Sequence, residues 1–221
     1  MKESAGKIFS LAGENPPVPG CTTSESLAEG AVTLFSVAAG TNISAEAYAS
    51  PRLFFVLAGR LRVSVPGTAS WQAGPEETLL LPPSCLVGVA AEEDTVYFEI
   101  IRKELISMKV DAGKVMKLGE LVPYQANKII SRDIIDDAGL KLAVMSFAAG
   151  TGLSEHAAPG EALIFALDGE AVIGYEGKEH IIHAGENFKF DKLGRHYVRA
   201  DKPFKMALLL TLETGEPAAF E

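Results

Sequence analysis

Cysteine and histidine are scarce in this sequence. Its 221 residues include two cysteines, Cys21 and Cys85, and four histidines. Two cysteines that form no CxxC pair exclude a framework of several disulfides and argue against a cysteine-rich zinc site. Low cysteine usage of this kind is typical of proteins in a reducing compartment, so we expect the protein to be cytoplasmic.

Long apolar runs and basic clusters are also missing. No stretch approaches the roughly 18 apolar residues of a membrane span, and we expect no signal peptide in the polar and proline-rich N-terminal sequence. The net charge of −9 and the isoelectric point near 5.0 oppose binding to a phosphate backbone. We therefore expect neither a membrane nor a nucleic acid as a partner.

What the sequence does contain is an internal repeat. Residues 36–59 align without a gap on residues 146–169, and 11 of the 24 aligned positions are identical. A second match, of residues 6–11 with residues 113–118, marks the start of each copy. A repeat with this long period predicts two copies of one structural unit. We place the two predicted domains at residues 1–105 and 106–221.

Each copy alternates short β-rich runs with turn residues. Glycine, proline, asparagine and aspartate lie between the runs, and no amphipathic helical pattern competes with them. Gly59 and Gly169 each follow an apolar run, which predicts a tight hairpin turn at both positions. The runs are residues 32–38, 53–57, 61–65 and 78–81 in the first copy, and residues 140–147, 162–167, 171–175 and 180–183 in the second. The predicted class is all-β in both domains.

The second copy resembles the cupin superfamily. The family's first motif is Gly-x5-His-x-His, then three or four residues, then Glu-x6-Gly; its second motif is Gly-x5-Pro-x-Gly-x2-His. Gly150 and His156 open the first motif here, and Gly185 and His196 match the ends of the second. The resemblance implies two tandem cupin β-barrels, each a jelly roll of the double-stranded β-helix type.

The same resemblance implies a metal site that is only partly kept. Cupin sites usually take three histidines and one glutamate, but Ala158 and Ala162 stand at two of those positions. His156 and His196 remain as candidate ligands of one divalent metal, Zn, Fe, Ni or Mn. Alternatively, they are inherited pocket histidines that bind a ligand without metal. His180 could supply a third ligand, or it could be a partly buried packing residue.

Glu161 and Lys189 are two further candidate ligand-binding residues. Glu161 lies one position from the motif's glutamate, and strand alternation turns its side chain away from the interior if the register is kept. Lys189 stands between Phe188 and Phe190. It faces the pocket if the phenylalanines pack outward, and it is exposed if they pack inward.

The first copy has lost the histidine ligands entirely. Glu46, Tyr48, Arg52 and Val87 occupy the four corresponding positions, and no histidine precedes His156. We therefore predict no cofactor in the first domain. Glu46 and Arg52 are predicted to form a salt bridge at the mouth of this barrel, with orientation of a polar ligand as the alternative.

The sequence leaves several functions open. The first hypothesis is a cytoplasmic protein that binds a small polar ligand around His156 and His196, directly or through a divalent metal. The alternatives are a metal-dependent enzyme, an oxygenase or isomerase of small acids or sugars, and a non-catalytic scaffold or regulatory protein. Whether it is an enzyme, and which residues would be catalytic, stays open, because one jelly roll hosts many chemistries. We also expect a homodimer, since β-sandwich units often pair through exposed edges.

Overall fold

The structure is a computed structural model that describes residues 4–27, 31–102 and 108–212. The chain divides into two compact units: Leu11–Lys117 forms the first, and residues 4–10 join the chain from Leu118 onward to form the second. The helices of the described ranges are short, Leu11–Glu14 and the 3-10 helix Leu118–Leu121, and none could span a membrane. A short strand, β1 (Ile8–Phe9), precedes the first unit in the chain.

The first unit consists of two antiparallel sheets. Its strands are β2 (Thr22–Leu27), β3 (Val32–Val37), β4 (Asn42–Ala47), β5 (Arg52–Ala58), β6 (Leu61–Val65), β7 (Ala69–Ala73), β8 (Glu77–Leu81), β9 (Leu86–Ala91), β10 (Thr95–Ile101) and β11 (Val115–Lys117). One sheet has the order β11-β8-β5-β10-β3-β2 and the other has the order β4-β9-β6-β7. Apolar side chains from both sheets, among them Phe54, Val63 and Val89, pack in one buried cluster. The two sheets therefore enclose an apolar interior.

The second unit repeats this plan. Its strands are β12 (Ile129–Asp137), β13 (Leu140–Phe147), β14 (Thr151–Ala157), β15 (Glu161–Tyr175), β16 (Lys178–His183), β17 (Asn187–Phe190), β18 (Arg195–Ala200) and β19 (Phe204–Thr211). One sheet has the order β1-β17-β15-β19-β13-β12, while β18 and β16 pair with the later part of β15 and β14 pairs with β18. The long strand β15 thus belongs to both faces of the barrel.

Strand pairing confirms the repeat that the sequence predicts. In the first unit Glu46 is paired with Val87, and in the second His156 is paired with His196. A register shift precedes both pairs, between Ile43 and Glu46 and at the matching place in β14. The fold is therefore all-β, with two tandem barrels built on one pattern.

The structure divides the chain differently from the predicted domains 1–105 and 106–221. Strand β1 pairs with β17, and the Gly6 N–H donates to the Lys189 carbonyl at 3.1 Å, so the N-terminal strand belongs to the second unit. Strand β11 pairs with β8, so residues 115–117 belong to the first unit. Strands β1 and β11 each complete the edge of a sheet in the unit on the other side of the predicted domain boundary.

The predicted hairpin turns at Gly59 and Gly169 are wrong. Gly59 lies between β5 and β6, which are in different sheets, and Gly169 lies inside β15. Their φ angles are +76° and +74°, and an added Cβ would lie 2.2 Å from the Asp94 carbonyl oxygen or 2.1 Å from that of Pro203. Glycine is needed because the chain bends from one sheet to the other against a neighbouring backbone.

Candidate functional site

The second barrel contains a cavity of about 430 Å³. Its lining comes from seven strands of the unit, β12 to β15 and β17 to β19. Most of the lining is apolar, and it consists of Ser131, Asp133, Lys141, Ala143, Met145, Leu153, Ser154, His156, Ile164, Phe190, His196, Val198, Met206 and Leu208. A volume of this size suits a small molecule.

The two predicted histidines lie together in this lining. His156 on β14 and His196 on β18 are paired across the strands, and their ring centroids are 4.3 Å apart. The ring of His196 also stacks on Phe190, with centroids 3.9 Å apart and an angle of 20° between the planes. His196 is buried and His156 is partly buried. The strand pairing and the aromatic contact thus hold both imidazoles in one wall of the cavity.

The hydrogen bonds of the two rings fix their tautomers. Nδ1 of His156 lies 2.8 Å from the Ser154 carbonyl oxygen, and Nδ1 of His196 lies 2.8 Å from the Gly194 carbonyl oxygen. A carbonyl oxygen can only accept, so each Nδ1 donates its proton to this bond. In the neutral ring, Nε2 then carries the lone pair. Each histidine can therefore offer one acceptor, or one metal ligand, through Nε2.

The environment of His196 favours the neutral ring. Burial lowers the pKa of His196, the hydrogen bond to the Gly194 carbonyl acts in the opposite direction, and the neighbouring His156 lowers the pKa further. The net shift is downward from the ordinary value of 6.5. His196 is therefore neutral at neutral pH, and its Nε2 acts as an acceptor.

The remaining positions of a cupin metal site carry no ligand atoms. Ala158 and Ala162 are both buried in the apolar core of this unit. His180 packs on Phe188, with ring centroids 5.1 Å apart, and does not line the cavity. In the described ranges, no group of three or more His, Cys, Asp or Glu side chains could hold a metal ion. The residues fit half of a metal site, and further ligands would have to come from solvent or from a bound molecule.

Glu161 and Lys189 do not line the cavity, which corrects their prediction as ligand-binding residues there. Phe188 and Phe190 point into the core, so strand alternation places Lys189 on the opposite face of β17. The Lys189 side chain is only 5% exposed, and its Nζ lies 3.0 Å from Oε1 of Glu161. Lys189 is thus neither in the pocket nor exposed, and the two residues neutralise each other on the outer face of the sheet.

Three polar residues on β12 and β13 line the cavity and were not predicted. Ser131 and Asp133 on β12 and Lys141 on β13 line the wall, and Lys141 Nζ lies 3.2 Å from Asp133 Oδ1. Lys141 lies on the same face of β13 as Ala143 and Met145, at every second position of the strand. This spacing could have indicated that Lys141 faces the cavity. It was ambiguous because the opposite face of the strand carries Leu140, Leu142 and Val144, which are buried as well.

The first barrel carries a different cluster at the corresponding positions. Arg52 Nη1 lies 2.8 Å from Oε1 of Glu99, and both side chains are buried. The guanidinium lies over the ring of Tyr48, 3.5 Å from its centroid, and the Tyr48 hydroxyl donates to Oε2 of Glu46 at 2.6 Å. The predicted partner of Arg52 was Glu46, but the ion pair is formed with Glu99 because Arg52 points into the barrel. Glu46 offers Arg52 only its backbone oxygen, at 3.4 Å.

Larger side chains also occupy the first barrel. Phe35 is paired with Tyr97, and their rings stack with centroids 5.1 Å apart. The matching pair in the second barrel is Met145 with Met206, which lines the cavity. Aromatic rings in the first barrel thus take the positions that border the open space in the second.

Comparison with known proteins gives a consistent result. Residues 143–212 match a model of the cupin domain family. A cupin 2 conserved barrel domain protein from Leptotrichia buccalis is 26% identical, covers 96% of this chain and 99% of its own, and has a TM-score of 0.82. A search of curated proteins found no match.

Two more distant structures share the fold over most of the chain. A variant of the salicylate 1,2-dioxygenase from Pseudoaminobacter salicylatoxidans is 11% identical, with a TM-score of 0.62 over 96% of this chain and 85% of that one. A variant of the Bacillus subtilis oxalate decarboxylase is 11% identical, with a TM-score of 0.53 over 99% of this chain and 80% of that one. With the paired histidines at the motif positions, the match over residues 143–212 identifies the second unit as a cupin domain, and the whole chain has the fold of proteins with two tandem cupin barrels.

Proposed function

We propose that the second barrel binds a small molecule, with the polar end of the ligand at His156 and His196 and its apolar part against the remaining wall. One observation carries the proposal: two adjacent imidazoles each use Nδ1 to donate to a backbone carbonyl, which leaves two Nε2 acceptors in a mostly apolar cavity. Acceptors in such surroundings cost free energy unless a donor reaches them. A ligand with hydroxyl, amine or amide donors would provide that partner.

Larger side chains inside the first barrel support the choice of the second. Phe35, Tyr97 and the Arg52–Glu99 pair occupy positions whose counterparts in the second barrel are smaller or more flexible side chains. The strands pair in the same pattern at these positions, so the difference there lies in the side chains. The smaller or more flexible side chains of the second barrel therefore leave space for the cavity.

A divalent metal held by the two histidines is a second candidate. A metal-binding histidine commonly donates its other ring nitrogen to a carbonyl or carboxylate, as both rings do here through Nδ1. His156 and His196 would hold the ion through Nε2, and the bound molecule or water would complete its coordination. A metal in this position would polarise an oxygen of the ligand. An oxygenase or isomerase activity would depend on that metal.

The test measures what the purified chain retains. Small molecules released by denaturation are identified by mass spectrometry, and Zn, Fe, Ni and Mn are quantified by elemental analysis. Mn is included because the similar oxalate decarboxylase has Mn(II) centres. We expect His156→Ala and His196→Ala each to lower retention by about tenfold, since loss of one acceptor costs roughly 1–3 kcal/mol.

His183→Ala is the matched control. His183 is an exposed histidine beside Glu186, and its removal should leave retention unchanged. Retention of both ligand and metal at the level of the unaltered chain in His156→Ala and His196→Ala would contradict the proposal. Retention of a small molecule without metal would leave direct ligand binding and remove the metal candidate.

A further inference from the structure

The cavity wall carries an ion pair on two strands other than those of the histidines. Asp133 is on the edge strand β12, and Lys141 is on β13 beside it. Both residues line the cavity, and their side chains are 28% and 17% exposed. Charged groups are uncommon in a lining that is otherwise mostly apolar, because their partial loss of hydration costs free energy.

The first barrel supplies an internal comparison for these charges. Ser26 is paired with Thr33 there, at the place where Asp133 is paired with Ala143. Ala31 stands 110 residues before Lys141, at the offset of the repeat. The same sheet is therefore built in the first barrel without either charge. An ion pair at this degree of burial is also weak evidence for a contribution to stability. The two charges thus distinguish the lining of this cavity from the matching sheet of the first barrel.

The balance of charge in the cavity limits the ligand. Among the residues that line the cavity, Asp133 contributes one negative charge and Lys141 one positive charge. A ligand with a single charge at this wall would meet one opposite and one like charge. A ligand that carries both signs can place each charge beside its complement, and it leaves no net charge in an apolar space.

We propose that the ligand is a small zwitterion of the amino-acid type, with its ammonium group at Asp133 and its carboxylate at Lys141. Ser131, on the same face of β12, is a further donor for the carboxylate. The side chain of the ligand then lies against Met145 and its apolar neighbours, toward the two histidines. This inference rests on the proposed function, whose site it shares.

The first experiment uses the unaltered chain. The twenty protein amino acids are screened by calorimetry, and the tightest is compared with two analogues, the amine that lacks its carboxylate and the acid that lacks its ammonium group. We expect at least one amino acid to bind, and both analogues to bind about tenfold more weakly. Absence of binding by all twenty, or equal binding of either analogue, would overturn the inference.

The second experiment assigns each charge. Lys141→Met should remove the preference for the amino acid over its amine, while Asp133→Asn should remove the preference over its acid. Lys178→Met is the matched control, because Lys178 is an exposed lysine of the same unit outside the cavity lining, and both preferences should remain. Unchanged preferences in both cavity variants would also overturn the inference.

The histidine variants separate this inference from the proposed function. If no amino acid binds but His156→Ala still lowers retention of another small molecule, the zwitterion is wrong and the ligand site stands. If the histidine variants also have no effect, both proposals fail. The analogue comparison needs no variant, so it does not depend on whether Lys141→Met or Asp133→Asn folds.

Discussion

At the scale of single residues, the interior of the first barrel contains a polar atom that lacks a partner. The Tyr97 hydroxyl is buried without a hydrogen bond to any described residue, although the ring packs well on Phe35 and Phe54. Burial is the main reason that the pKa of this phenol is raised, and the nearby Glu99 adds to it. The hydroxyl thus loses hydration without gaining a partner, while the ring contributes its packing.

Tyr97→Phe is therefore expected to be neutral or stabilising, by up to about 1 kcal/mol, because it removes an unsatisfied polar atom and keeps the ring. Urea unfolding of both proteins measures the difference. Tyr48→Phe is the control, since the Tyr48 hydroxyl donates to Glu46 and its loss should be neutral or mildly destabilising. A clear loss of stability in Tyr97→Phe would mean that a buried water satisfies this hydroxyl.

The cavity residues differ in how far they could be predicted. His156 and His196 were identified because a spaced motif fixes their positions without any knowledge of which way a strand faces. Lys141 was missed because both faces of strand β13 are apolar enough to be buried, so alternation alone cannot choose the inner one. Glu161 was predicted to point outward if the register held, and its pairing with Lys189 follows from the same alternation.

At the scale of elements, each predicted run of the first copy corresponds to a strand, but other strands were missed, the apolar β9 and β10 among them. The predicted runs 32–38, 53–57, 61–65 and 78–81 correspond to β3, β5, β6 and β8. Strand β2, with the sequence TTSESL, shows no alternation, and β4, with the sequence NISAEA, alternates mainly with small alanines; most residues of both strands are exposed. Their strand conformation depends on hydrogen bonds to a neighbouring strand. The periodicity of apolar residues in the sequence does not indicate such bonds.

The two bend glycines give a prediction at this scale. Gly169→Ala and Gly59→Ala should each destabilise the protein by more than the roughly 1–2 kcal/mol of a left-handed alanine, because the new methyl group would overlap a backbone oxygen. Gly150→Ala is the matched control. Its φ is +79° and an added Cβ would meet nothing within 4 Å, so only the conformational cost applies.

Urea unfolding distinguishes these cases. A larger loss of stability in Gly169→Ala than in Gly150→Ala would support the close backbone approach at the bend. Equal losses in the two variants would mean that the contact with the Pro203 carbonyl relaxes at little cost, and that a positive φ alone explains the glycine.

At the scale of the whole molecule, the repeat allowed two barrels to be predicted. It did not allow their edge strands to be assigned. Strands β1 and β11 have only two and three residues, which is too short for a hydrophobic period. Their partners depend on which sheet edge is open after the longer strands have paired. The homodimer and the cytoplasmic location stay predictions.

The assignment of β1 to the second unit and of β11 to the first can be tested with two proline variants. Proline cannot donate to a strand ladder, so Ile8→Pro should open the pairing of β1 with β17, and Met116→Pro should open that of β11 with β8. Loss of about 1 kcal/mol of local pairing would speed amide exchange roughly fivefold. Hydrogen exchange measured by mass spectrometry should therefore rise at Asn187–Phe190 in the first variant and at Glu77–Leu81 in the second.

Each variant is the control for the other, because both place one proline in a short strand near a domain boundary. The division of the structure requires the two effects to appear in different units: Ile8→Pro in the second, Met116→Pro in the first. Faster exchange at Glu77–Leu81 after Ile8→Pro, with Asn187–Phe190 unchanged, would restore residues 1–10 to the first domain. A rise at both segments in both variants would mean that the barrels open together, since local loss of one edge strand can affect only the sheet that it completes.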